Sequence, residues 1–397
     1  MPRRAEFPLS PGEFVALIAL LMALTALSVD IMLPALPAIG QALGVGKAND
    51  RQLVLTFYLL GFAGGQIVFG PLSDRFGRRS PILFGLVLYL CATIGAVASG
   101  SFAGLLAARA FQGLGAAAPR VIAMAIVRDR FEGREMARTM SFITMVFIVV
   151  PILAPAIGEG ILQFTDWRSL FYLLLLVAIA SMIWMSIRLP ETRAEQDRLP
   201  LSATMVWHAF KLVATTRQTL GYIIAMGFVF GLLFSYIISA EQVFVDTYGL
   251  GPLFPIVFAA ISCFTIAASF LNAAVVKKVG MRGVSHRALI LALAACAAMA
   301  LMGYPEKPPL LLFSAFMATV FFCFGLIMPN FNALAMEPMG HIAGTASSIA
   351  GFYSTGAAAI LGTLIGHSFD GSVRPLCIGI TLLFLATLAV VLVTEKS

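Results

Sequence analysis

Asp30 is a carboxylate in a stretch that should hold none. It lies in the run ALSVDIMLPALPAIG, which is otherwise apolar and uncharged for about a helix length either way. A carboxylate at membrane depth is costly, so it faces protein rather than lipid and marks a proton site or a pathway by default. The plain alternative is a satisfied structural carboxylate. Pro34 and Pro37 follow it and should bend the end of that helix. Arg109, in LLAARAFQGLGAAAPR, is a buried cation of the same kind. Counted from the helix ends, at ~1.5 Å per residue, Asp30 and Arg109 fall at similar depth. An ion pair between them would let both be buried and could couple proton movement; a static pair would simply hold two helices. Arg120 comes three turns later on the same face, ~16 Å away. It is either a second positive group in a cavity or a side chain reaching for the membrane surface.

The densest local pattern is GPLSDRFGRRS, Gly70 to Ser80. Asp74, Arg75, Arg78 and Arg79 crowd a turn in which Gly77 supplies a sharp bend and Gly70 a close approach. Arginines anchoring a cytoplasmic loop would explain the basic residues but not Asp74 or the two glycines. Elsewhere Tyr58, Tyr236 and Tyr353 are aromatic groups able to line a pocket for lipophilic ligands, although each could equally be helix packing. The five cysteines lie in different apolar segments without CxxC spacing or a histidine cluster. Neither a disulfide nor a metal site is expected.

These residues need elements to position them. Of 397 residues, 60% are hydrophobic and 11% charged, with mean hydropathy +0.96. No water-soluble fold hides that much apolar surface, so lipid must solvate much of it. The net charge is +7, yet it reads as topology and not as a nucleic-acid surface. Apolar stretches fall at 14–38, 52–72, 80–99, 102–126, 138–162 and 168–188, then at 219–244, 253–276, 286–304, 309–334, 342–366 and 374–393. With the N-terminus in the cytoplasm, only Lys47, Arg51, Arg168, Lys307 and Arg374 of the basic loop residues lie outside. That distribution puts both termini in the cytoplasm. The first run is too long for a signal-peptide core and reads as a retained span. The expected architecture is an all-α membrane protein of 12 transmembrane helices. It divides into residues 1–188, a cytoplasmic linker 189–218, and residues 219–397. Residues 203–214 could form an interfacial helix in the linker. The turn Phe76-Gly77-Arg78-Arg79 has a counterpart in Val279-Gly280-Met281-Arg282, which suggests two pseudo-symmetric six-helix bundles.

The segment GPLSDRFGRRSPIL resembles the loop signature of the major facilitator superfamily. Asp30-Ile-Met-Leu-Pro-Ala-Leu, Arg109-Ala-Phe-Gln112-Gly113-Leu-Gly115 and Ala154-Pro155-Ala-Ile-Gly158 resemble the twelve-helix drug/proton antiporter group, in particular Bcr/CflA-like multidrug efflux transporters. Trp167-Arg168-Ser-Leu-Phe171, Leu189-Pro190-Glu191-Thr192 and Ala343-Gly344-Thr345 fit that group as well. The resemblance implies that Asp30 is the protonatable residue and that Arg109 belongs to a proton relay. It implies a cytoplasmic latch of Asp74 and Arg78, within the Gly70–Arg79 loop, with Asp129 at the end of the fourth span, and a hinge at Pro155 and Gly158. Arg120, Glu159 and Glu241 depart from the pattern by adding charge near a cavity that is normally more apolar. Glu241 and Glu159 are each either a second acid or a solvated helix end.

The expectation is proton-coupled export of lipophilic drugs or related small molecules across a bacterial inner membrane by alternating access. The partners would be a small-molecule substrate, protons and the lipid bilayer, with no nucleic acid. The chain would work as a monomer without a cofactor, drawing on the proton gradient. The rival on the same fold is a dedicated transporter of one polar metabolite or siderophore, which Arg120 and Glu241 favour. A receptor that has lost transport would not need the Asp30, Arg109 and Gly70–Arg79 set. No GxxxxGK[ST], HExxH or GxSxG motif is present, so neither an ATP-driven cycle nor a membrane hydrolase is expected.

Overall fold

The computed structural model describes residues 8–131, 133–198 and 203–396. Among these residues the chain is helical throughout, with no strand. The helices are α1 (Pro11–Asp30), α2 (Leu36–Ala42), α3 (Leu53–Phe76), α4 (Arg79–Ala98), α5 (Phe102–Arg130), α6 (Gly133–Leu162) and α7 (Arg168–Arg188). After them come α8 (Ala203–Thr215), α9 (Arg217–Glu241), α10 (Phe254–Val279), α11 (Met281–Leu301), α12 (Leu310–Met336), α13 (Ala343–His367) and α14 (Arg374–Glu395). Among the described residues, eleven stretches are long and apolar enough to cross a membrane. The twelfth expected span is α6, whose apolar described part is Val149–Leu162. Helices are the natural answer in lipid, because each satisfies its backbone polar groups internally.

The chain forms two compact units. One comprises Met1–Ala38, Ala42–Gly44 and Phe57–Ala203; the other comprises Ile39–Gln41, Val45–Thr56 and Thr204–Ser397. In the first unit α5 packs closely on α4, and α1 lies against α5, α6 and α7. Glycines make these approaches possible. A Cβ on Gly113 of α5 would collide with the backbone carbonyl of Tyr58 on α3. One on Gly115 would lie 2.6 Å from the Gly85 carbonyl and 2.6 Å from the Tyr89 nitrogen of α4. The Gln112-Gly113-Leu114-Gly115 stretch thus lets α3 and α4 press onto the turn of α5 that follows Arg109. Close backbone contact of this kind is how helices associate in lipid, where no hydrophobic force drives them together. In the second unit α9 packs on α13, α14 and α12.

The first span is broken where the sequence suggests only a bend. Pro34 has no N–H and its ring clashes with the carbonyl four residues back, which is that of Asp30. The α-helix accordingly ends at Asp30, a 3-10 turn covers Leu33–Ala35, and α2 begins at Leu36. The two loop glycines of the internal repeat both take the left-handed conformation, Gly77 at φ +86° and Gly280 at φ +80°. A residue with a Cβ is strained there.

Gly113→Val should lower the thermal stability of the purified protein by ~1–3 kcal/mol through overpacking. Gly64→Ala, on α3 with open space at its Cβ position, should leave it unchanged. Fluorescence-detected size-exclusion after heating measures both; equal behaviour of the two variants would refute the close-packing account.

Candidate functional site

Breaking α1 at Asp30 releases a backbone acceptor. In an unbroken helix the Met32 amide would bond to the Ser28 carbonyl; here it bonds to the Val29 carbonyl instead. The freed Ser28 carbonyl accepts from Arg109 Nη2 at 2.9 Å. Arg109 Nη1 donates to Gln112 Oε1 at 2.6 Å, and the Tyr58 ring lies under the guanidinium, 4.5 Å away. Tyr58 is fully buried and its hydroxyl donates to the Thr25 carbonyl at 3.3 Å. Gln112 Nε2 donates to Thr93 Oγ1 at 2.8 Å, Thr93 to the Tyr89 carbonyl, and the Tyr89 and Ser28 hydroxyls share a bond of 2.7 Å. Arg109 is therefore anchored in a polar socket made by α1, α4 and α5, with no exposure to the surroundings.

The expected ion pair of Asp30 with Arg109 is not formed. The break directs the Ser28 carbonyl, not the Asp30 side chain, at the guanidinium. Asp30 is 3% exposed, its Oδ1 has no hydrogen-bond partner, and among the described residues it makes no ion pair. A buried carboxylate oxygen with no donor is poised to hold a proton or to meet a group that enters beside it. Gly158 of α6 closes on the same break: a Cβ there would be 2.5 Å from the Ile31 carbonyl and 3.1 Å from Pro34 Cγ. Pro155 stands one turn earlier inside α6. Arg120, also on α5, is half-buried.

The second constellation is the turn between α3 and α4. Arg78 is buried and forms a bidentate pair with Asp129 at the end of α5, Nε to Oδ2 at 2.7 Å and Nη2 to Oδ1 at 3.1 Å. Its Nη1 also reaches Asp74 Oδ1 and Ser73 Oγ, each at 2.9 Å. Burial opposes the Arg78 charge, but the bonds and charges of Asp129 and Asp74 outweigh it and raise its pKa. Ser73 donates back to the Gly70 carbonyl, Arg79 Nη2 donates to the Ser186 carbonyl, and Arg75 is exposed. The linker supplies two partners that the sequence reading did not assign. Arg193 Nη1 pairs with Asp74 Oδ1 at 2.8 Å. Glu191 accepts from the amides of Arg78 and Arg79, at 2.8 and 3.1 Å, where α4 begins. A carboxylate on the free amides of a helix start is favourable both as a hydrogen bond and with the helix dipole. A Cβ on Gly77 would fall 2.5 Å from Glu191 Oε2, so this glycine makes room for the cap as well as the turn. The Leu189-Pro190-Glu191-Thr192 motif was a visible signal without a visible role.

The remaining cavity candidates lie in the second unit. Tyr236 is fully buried among Phe321, Phe258 and Phe244, with ring centroids 4.8, 5.3 and 6.0 Å away. Tyr353 is half-buried against Gly227, whose Cβ would lie 2.8 Å from its ring. Tyr236 thus packs within an aromatic cluster of the second unit. Glu241 is not a solvated helix end: it is 1% exposed, with Arg51 Nη2 at 2.8 Å. Glu159 is half-buried. Among the described residues no group of three metal-ligating side chains occurs.

The profile of the Major Facilitator Superfamily matches residues 18–363. A bicyclomycin resistance protein homolog of Haemophilus influenzae is 31% identical over 368 residues, which is 91% of each chain. Multidrug resistance protein D of Escherichia coli is 33% identical over 181 residues, 46% of each chain. The crystal structure of a D-xylose-proton symporter superposes with a TM-score of 0.72 at 15% identity, over 95% of this chain and 96% of that one. The profile covers most of the sequence, one relative spans nearly all of it, and the helical architecture agrees. The chain is a member of the Major Facilitator Superfamily, a multi-pass membrane transporter and not an enzyme.

Proposed function

We propose that the protein exports lipophilic drugs or related small molecules in exchange for protons, by alternating access across the bacterial inner membrane. The observation that carries this reading is Asp30. It is a buried carboxylate with an oxygen that nothing donates to, at the break of a spanning helix, beside an arginine satisfied by other acceptors. The relatives named for bicyclomycin and multidrug resistance support the substrate class. Arg109, held in its socket, supplies a fixed positive field near Asp30 rather than a partner that must be broken. Asp30 is then free to trade its proton for an entering substrate. No cofactor is required, and a single chain suffices. Each proton moved down the gradient supplies ~2.3 kcal/mol per 100 mV, roughly a 50-fold substrate gradient before any pH difference counts. The latch around Arg78 would hold one state of the cycle and release in the other.

A dedicated transporter of a polar anion is the second reading, favoured by half-buried Arg120 on the same helix as Arg109. Competition by a hydrophilic anion that vanishes in Arg120→Gln would support it.

The first experiment uses proteoliposomes with an imposed pH gradient and a panel of lipophilic antibiotics and dyes. The intact protein should move panel members against their gradient, and Asp30→Asn should lose all gradient-driven movement while still binding substrate. Movement that survives in Asp30→Asn would overturn the role of Asp30. Absence of movement by the intact protein would overturn the drug reading.

Arg78→Lys keeps the charge but cannot pair bidentately with Asp129. Initial export rates should fall at least about tenfold with substrate affinity little changed. An unaltered rate would remove the latch from the cycle.

A further inference from the structure

A second buried carboxylate lies at the far end of α9. Glu241 is that helix's last residue, and a π-helical turn, Gln242–Thr247, follows it. It is 1% exposed, and neither of its carboxylate oxygens has a hydrogen-bond donor. Arg51 Nη2 stands 2.8 Å from Oε2, but off the line of a hydrogen bond, so the contact is one of charge. The same nitrogen donates properly to Asp246 Oδ2 at 2.7 Å. Asp246 is far more open, with 43% of its side chain exposed. One arginine is thus shared by a hidden carboxylate and an open one.

Polar groups also tie this segment into the second unit, alongside the buried side chains of Val54 and Leu55. Gln52 pairs with Gln242, and Gln242 Nε2 donates to Asn49 Oδ1 at 2.6 Å. Asn49 Nδ2 donates to the carbonyls of His367 and Phe369 at 3.0 and 2.9 Å. Thr56 and Thr363 share a hydroxyl bond of 2.7 Å. The helix α3 that begins in this segment runs on into the first unit from Phe57. The other titratable groups on neighbouring elements have their own contacts. Asp50 faces His367 at 3.8 Å, Arg374 faces Glu306 at 3.4 Å, Asp370 accepts from Ser372, and Tyr248 donates to the Pro308 carbonyl. Tyr236, five residues before Glu241 on α9, has a buried hydroxyl without a partner.

We propose that Glu241 is a second proton-binding carboxylate and that Arg51 passes between it and Asp246. With Glu241 charged, Arg51 clasps the 49–56 segment to α9. A proton taken from water onto Glu241 cancels the charge that Arg51 balances. Arg51 then swings to Asp246 alone, and the segment loosens. Motion of α3 is tied to this clasp because α3 grows out of it. The inference needs neither Asp30 coupling nor a drug as cargo.

Hydrogen–deuterium exchange of the full chain in lipid nanodiscs tests it without any transport. The readout is exchange over the peptide containing Arg51 and Gln52, corrected for the chemical rate at each pH. Wild type should be protected at alkaline pH and exchange at least about tenfold faster at acidic pH. Glu241→Gln should exchange fast at every pH. Asp246→Asn should retain the wild-type pH profile. Arg51→Gln should exchange fast at every pH, and it decides the matter if Glu241→Gln does not fold. A pH profile unchanged by Glu241→Gln or by Arg51→Gln overturns the proposal. So does wild-type exchange that ignores pH.

Discussion

A guanidinium cannot be left unsatisfied at membrane depth, and much of the first unit is arranged around that requirement. Arg109 has five N–H groups and no water to give them to. The answer begins in the sequence of a different helix. Pro34 forbids the α-helix from continuing past Asp30, the Met32 amide turns to Val29, and the Ser28 carbonyl becomes available to Arg109. Gln112 meets the guanidinium from its own helix, and Tyr58 lies under it. None of this works unless the helices approach within backbone distance, which Gly113 and Gly115 permit. Proline, glycine and arginine are thus parts of one device, spread over two spans.

The turn between α3 and α4 solves a similar problem at the membrane edge by different means. The free amides at the start of α4 are claimed by Glu191, from a segment more than a hundred residues later in the chain. Arg78 is claimed by Asp129, and Asp74 takes both Arg78 and Arg193. The cluster is thus built from three separate stretches of the first unit, and each contributes charge of both signs or an acid. Such a network is strong when complete and weak when any member is withdrawn, because a buried charge without its partner is costly. That property suits a catch that must hold firmly and let go.

Much of this was legible in the sequence because lipid enforces simple rules. The spans stand out by length and hydropathy, and the described helix limits fall within a few residues of the apolar runs. Asp30 and Arg109 were conspicuous as charges in apolar surroundings. Their relation was not. Depth counted along ideal helices takes no account of a helix that stops, and here the stop decides which oxygen faces the arginine. Near the limit of an apolar run, Glu241 could be read either as a second acid or as a solvated end. Its partner, Arg51, comes from a loop 190 positions earlier, a pairing that no local pattern reports. Tyr236 and Tyr353 show the limit of residue type as a guide, since an aromatic ring suits a pocket and a helix seam equally well.

The two units treat buried charge in opposite ways, and the contrast bears on where the chemistry lies. In the first, the cation donates to the neutral oxygens of Gln112 and Ser28, and Oδ1 of the nearby carboxylate is left without a donor. In the second, the buried carboxylate has a cation beside it, and the helices behind it meet through packed aromatic rings. A carboxylate already balanced by an arginine changes its protonation only by moving that arginine, so its titration is tied to the position of a segment. A carboxylate with no such partner changes its protonation in response to whatever enters next to it. Glu241 is therefore placed to report proton binding as movement. Under the proposed exchange, Asp30 is the group that would trade its proton for a substrate.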